Sequence, residues 1–226
     1  MGLLRTIGRL LGGPAHDLGR QAESQRRARR LDYPATVTLR ETEVTLRLLE
    51  AGDRDAMLAF ARSLPEHDLL FLRRDITQPD QVDAWIADVA AGRYVTVVVV
   101  RGSEIVGYTT VASDPMTWAR HMAEIRVLVA PTLRGVGLGQ LLTEQAFAIA
   151  QERGVRKMIA RMTTDQQAAV RAFERMGFAR EAVLRGQVID REGALHDLQI
   201  MGLDVEAFRA RLDLAQYQAQ LPASEF

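Results

Sequence analysis

Apolar and polar positions change period several times along the chain, and the changes mark out its elements. VTLRETEVTLRLL, from residue 37, alternates at a spacing of two, as one or two strands would. AGDRDAMLAFARSL then carries apolar residues at helical spacing, and QPDQVDAWIADVAAG repeats that pattern up to Gly92. Between them SLPEHDLLFLRRDI has no period and reads as a connection. YVTVVVV, the turn RGSE and IVGYTTVAS predict an antiparallel hairpin. HMAEIRVLV is the next strand, followed by helix 138–153, strand VRKMIARMT and helix DQQAAVRAFERMG. A second hairpin follows, turning around Asp190 to Gly193. The order predicts an α/β (α+β) domain, a mixed and mostly antiparallel sheet flanked by helices, over residues 37–204. Residues 1–36 form a separate basic, amphipathic extension with QRRARR at 25–30, and 205–226 form an amphipathic tail.

Composition removes several function classes. Lys plus Arg and Asp plus Glu are balanced at 29 each, so no overall field attracts nucleic acid. The chain has no cysteine, which excludes disulfides, thiolate metal sites and cysteine nucleophiles and fits a cytoplasmic location. YVTVVVV is far short of the roughly 20 apolar residues that span a bilayer. Arg5 and Arg9 interrupt the apolar N-terminus and argue against a signal peptide. The expectation is a cytoplasmic protein with no membrane or nucleic-acid partner.

The densest chemical signal is RVLVAPTLRGVGLG at 126–139. Gly135, Gly137 and Gly139 leave the backbone bare where a strand hands over to a helix, whose first N–H groups and dipole suit a phosphate. Arg134 adds a cation. No Gly-Lys-Ser/Thr follows, and G-x-G-x-G lacks the spacing of a dinucleotide fingerprint.

The remaining pattern, Arg-x-x-Gly-x-Gly, resembles the pyrophosphate loop of the GNAT superfamily of acyl-CoA-dependent N-acyltransferases. AEIRVLV before it and RAFERMGF at 171–178 match that family's preceding strand and later helix end. The resemblance, spanning roughly residues 37–204, implies a GNAT fold in which HMAEIRVLV and VRKMIARMT splay apart to hold acyl-CoA. It implies acetyl-CoA as cosubstrate, with no metal. Cofactor contacts would come from Val127, Leu128 and Val129, from Arg134, Gly135, Val136, Gly137, Leu138 and Gly139, and from Gln166 and Phe173. Family members are commonly monomers or homodimers.

Alternation puts Glu124, Arg126 and Leu128 on one strand face and Ile125, Val127 and Val129 on the other. By resemblance to bacterial protein-lysine acetyltransferases, Glu124 is the general base. The competing reading is a glutamate paired with Arg126 or Arg161 on a solvated face. The family's tyrosine acid is replaced by Phe173, which has no proton to give. Solvent or Tyr108 are the alternatives, and Gln166 stands where an asparagine is usual. Glu66, His67 and Asp68 fall in a turn near the expected acceptor side. His121 and His196 lie near strand ends, and no set has metal-ligand spacing. Trp85 and Trp118 read as core or rim aromatics, Trp118 also as an acceptor-pocket wall. The implied function is acetyl transfer to a primary amine, a protein lysine first and a small-molecule amine next. A non-catalytic acyl-CoA sensor is the alternative that Phe173 keeps open.

Overall fold

The computed structural model describes residues 30–114 and 116–211. The extension expected over 1–36 and the tail expected over 205–226 therefore lie largely outside the described residues. Eight strands form one sheet in the order β1-β2-β3-β4-β5-β6-β8-β7. They are β1 (Ala35–Leu39), β2 (Thr42–Leu48), β3 (Tyr94–Arg101), β4 (Glu104–Ala112), β5 (Met122–Val129), β6 (Lys157–Thr163), β7 (Ala179–Ile189) and β8 (Leu195–Asp204). Four α-helices intervene: α1 (Arg54–Ser63), α2 (Pro79–Ala90), α3 (Leu138–Glu152) and α4 (Gln167–Arg175). Residues 205–211 are helical as well. Among the described residues no helix is long and apolar enough to cross a membrane.

Each face of the sheet has its own core, and β3 shows why its valines run without interruption. Val97 and Val99 enter the core beneath α3, while Val98 joins the opposite core with Leu58, Phe60, Val82 and Trp85 of α1 and α2. A central strand covered on both sides has no solvent face, so no polar alternation is needed. Pro79 opens α2 at a position where its missing N–H has no helical partner to lose. Leu31 N and Tyr33 Oη both donate to Gln145 Oε1 of α3, at 2.9 and 2.8 Å.

One junction differs from the rest. All neighbouring strands pair antiparallel except β5 and β6, which are parallel and joined through α3. That ladder runs only from Met122↔Lys157 to Ile125↔Ala160. Beyond it β5 stays paired to β4, through Val129↔Gly107, and β6 to β8, through Thr163↔Leu198. The two strands thus separate at Arg126 and Arg161, bearing out the expected splay and the expected mixed, mostly antiparallel sheet.

Candidate functional site

A cleft of about 850 Å³ occupies the gap where β5 and β6 part. Val127, Leu128 and Val129 form one wall, Ala160 to Met162 the other, and Phe173 with Met176 closes the α4 side. Phe173 meets Phe178 edge-on at 5.1 Å, so this side is apolar and tightly packed.

The glycine stretch lies at one end. Gly135 and Gly137 have φ of 77° and 98°, a region in which a Cβ is strained whatever the space around it. Gly137 is also the N-cap of α3, and no side chain caps that helix. Its first N–H groups have no intrahelical acceptor, and the helix dipole adds partial positive charge there. Gly139 lines the cleft; Leu138 is buried beneath it, and Val136 packs against the core. Arg134 leans the other way: its guanidinium pairs with Asp68, and Nε reaches Val129 O at 3.4 Å. Main-chain N–H groups, more than the Arg134 side chain, are therefore what the turn offers to an anion. Bare turn, uncapped helix and apolar slot together fit the pyrophosphate and pantetheine arm of an acyl-CoA.

Alternation along β5 holds. Leu128 packs with Tyr108 in the core under α1 and α2, whereas Ile125, Val127 and Val129 belong to the opposite core. Glu124 accordingly faces the α1–α2 side, where three arginines surround it. Arg126 Nε and Nη2 donate to Oε1 at 3.2 and 3.1 Å, and Arg73 Nε lies 3.2 Å from Oε2. Arg161 Nε is 3.7 Å from Oε2, too long for a hydrogen bond, and is buried without one. The Glu124 side chain is only 11% exposed, so it pairs with arginines away from a solvated face; Arg126 and Arg161 line the cleft, while Glu124 and Arg73 lie beside it.

Other candidates are sorted by position. Tyr108 is fully buried against Phe60 and Trp85, burial pushes its hydroxyl well above the ordinary tyrosine range, and it does not line the cleft. Trp85 is core, with Nε1 donating to Thr96 Oγ1 at 3.2 Å. Trp118 is 93% exposed and lines no part of the cleft. Gln166 donates to His67 O at 3.0 Å and accepts from Thr163 N at 3.2 Å, pinning the α1–α2 connection to the end of β6. That places His67 and Asp68 on the cleft wall. Arg73 carried no sequence signal, because the connection that holds it has no period.

Residues 58–178 match the model of the Acetyltransferase (GNAT) family. The chain is 24% identical over 165 residues to YwnH of Bacillus subtilis strain 168, provisionally named a phosphinothricin acetyltransferase, covering 72% of this chain and 99% of that one. The fold is shared with a spermidine N-acetyltransferase from Vibrio cholerae solved with CoA and spermine. Its TM-score is 0.61 and its identity 18%, over 74% of this chain and 98% of that one. A phosphinothricin acetyltransferase from Sinorhizobium meliloti, solved with acetyl-CoA, gives a TM-score of 0.61 at 19% identity, over 71% of this chain and 88% of that one. With more than half of its length matched by the family model and the splayed strands in place, the chain belongs to the GNAT acetyltransferase family.

Proposed function

We propose that the protein transfers the acetyl group of acetyl-CoA to the primary amine of a small acceptor that also carries an acidic group. The observation behind this reading is the charge beside the cleft, which two of the arginines, Arg126 and Arg161, line. Three guanidiniums, of Arg73, Arg126 and Arg161, surround the single carboxylate of Glu124, and Arg161 Nε lacks a hydrogen-bond partner. An acceptor carboxylate or phosphonate would balance the excess positive charge through the guanidiniums of Arg126 and Arg161 that line the cleft, because guanidinium and oxyanion pair with matched geometry. A polyamine or a lysine side chain would add a cation to a site already rich in them.

Acetyl-CoA supplies an acetyl thioester. The turn at Gly135 and Gly137 and the first turn of α3 would hold its pyrophosphate, and the β5 main chain from Val127 to Val129 would flank the thioester arm. Gln166 would act through the position of the α1–α2 connection, and Phe173 by excluding water from the arm. Glu124 is assigned the proton of the attacking amine. A lysine-type amine, with a pKa near about 10.4, is almost entirely protonated at neutral pH, so its nitrogen needs a base before it can form the new amide bond. That nitrogen attacks the carbonyl carbon, the carbon–sulfur bond breaks, and the leaving thiolate takes a proton from solvent, since neither Phe173 nor the buried Tyr108 can provide one.

The test follows free CoA release and acceptor mass gain with acetyl-CoA and three classes of amine: amino acids with a second acidic group, including phosphinothricin; spermidine; and a lysine peptide. Release with the acidic amino acids, weakened by Arg161→Met, is expected. Equal or better turnover of the lysine peptide would sink the charge argument and return protein lysine to first place. Acetyl-CoA binding with no transfer to any class would favour a sensor.

A further inference from the structure

His67, Asp165 and His196 come from three different segments and meet where the cleft opens. His67 lies in the α1–α2 connection, Asp165 in the turn between β6 and α4, and His196 on β8. One donor atom from each lies within 4.8 Å of the other two. His67 Nε2 is 3.2 Å from Asp165 Oδ1, and His196 Nδ1 is 4.0 Å from Asp165 Oδ2. None of these spacings is visible along the chain, which is why no metal set was expected from the sequence.

The far side of His196 makes the cluster more than a set of ion pairs. Its Nε2 lies 2.8 Å from Asp190 Oδ2, and the other oxygen of Asp190 is fixed by the N–H groups of Glu192 and Ala194 at 3.0 and 2.8 Å. In the neutral imidazole, a carboxylate so anchored keeps the proton on Nε2 and leaves Nδ1, on the Asp165 side, free to bind a metal ion, the arrangement that orients histidine ligands in metal sites. At His67 the hydrogen bond from Gln166 to the carbonyl holds the main chain, and the ring Nε2 meets Thr163 Oγ1 at 3.4 Å, a contact that a bound ion would replace. The rings of His67 and His196 stand 5.8 Å apart at 66°, edge to face rather than stacked.

We propose that His67 Nε2, His196 Nδ1 and the Asp165 carboxylate bind one divalent transition-metal ion, with Asp190 as the outer carboxylate. Two imidazoles and one carboxylate suit Zn²⁺, Co²⁺ or Ni²⁺ better than Mg²⁺ or Ca²⁺, which favour all-oxygen sets. Metal–nitrogen and metal–oxygen bonds of about 2.0–2.2 Å require the donors to draw together slightly. The half-exposed side chains of His67 and Asp165 have room to do so. The ion would tie the α1–α2 connection to β8 at the rim of the cleft. Because His67 and Asp165 line the cleft itself, it would bear on how the acceptor side opens.

The test uses the full-length, untagged protein stripped with EDTA, titrated with Co²⁺ under visible absorption and with Zn²⁺ by calorimetry. One equivalent with a ligand-field spectrum is expected. His67→Ala and His196→Ala should each lower affinity by at least a hundredfold, and Asp190→Asn by about 10- to 100-fold. Metal-free thermal melts identify any variant whose loss of binding is loss of fold. Absence of stoichiometric binding by the stripped wild type would overturn the proposal, as would binding that folded His67 and His196 variants retain at full affinity. Metal binding is read here without acetyl transfer, so failure of the acceptor assignment leaves this result unaffected.

Discussion

Arg126 and Glu124 stand two positions apart on β5 and pair along the same face, the guanidinium giving two hydrogen bonds to one carboxylate oxygen. The contact fixes the Glu124 rotamer at the point where the β5–β6 ladder stops. Glu124→Gln keeps the shape and an acceptor for Arg126 while removing the base. Turnover should fall by about a hundredfold or more, with acetyl-CoA affinity changed little. Steady-state kinetics beside calorimetric binding check both halves; unchanged turnover would leave Glu124 only as the anchor of its arginines.

Gly137→Val tests the turn. A β-branched residue at φ near 98° costs about 1–3 kcal/mol of strain or forces the loop to move. The expected result is a KM for acetyl-CoA raised by tenfold or more. Gly154→Val, at φ 68° beyond the other end of α3, imposes comparable strain away from the cleft and should leave that KM near wild type.

Gly177, in the Met-Gly-Phe end of α4, is held for a different reason. A Cβ there would sit 2.5 Å from Phe208 Cε2, and Phe208 is itself packed edge-on against Phe147 of α3. Gly177→Ala should destabilise the protein by about 2–4 kcal/mol, through overpacking and positive φ together. Urea unfolding measures it, and full acetyl-CoA affinity in the folded variant would separate this glycine from those of the turn.

Asp53 gives a pH dependence with a definite sign. Its two oxygens take a bidentate pair from Arg47 at 2.6 Å each, and one also accepts from Glu50 N at 2.8 Å. The Arg47 hydrogen bonds hold the carboxyl below its ordinary range. The folded state therefore favours the ionised form. That contribution is complete above the unfolded value of about 4 and fades as pH falls through the lower folded value. Asp53→Asn should cost about 2 kcal/mol at pH 7, and the gap from wild type should narrow below pH 4. Melting curves across pH 2–7 report it; a gap independent of pH would contradict the assignment.

The elements of the fold were legible because each has a period. The run at 94–100 reads as a buried strand, Gly92 and Gly154 close helices, and the loop at 134–139 and the helix end at 171–178 carry the family resemblance. What could not be read was convergence. Arg73 lies in an aperiodic connection, and only the fold brings it against Glu124, 51 positions away. Pairing and catalysis are alternatives for Glu124 along the chain; in space the pairing is present, with Arg126 and, from distant segments, Arg73 and Arg161. Trp118 shows the converse limit: an aromatic beside a strand suggests a pocket wall, and its exposure shows otherwise.

The short parallel ladder between β5 and β6 has a thermodynamic side. Four residue pairs join β1–β5 to β6–β8 within the sheet, and past Ile125 the facing edges of both strands have no strand partner across the gap. A ligand seated there would bridge the two strands, so its binding free energy would also be folding free energy. At a ligand concentration a hundred times Kd the gain is about 2.7 kcal/mol. Amide exchange at Val127–Val129 should slow and the melting temperature should rise with acetyl-CoA concentration. The persistence of the fold is then tied to the supply of the molecule it consumes.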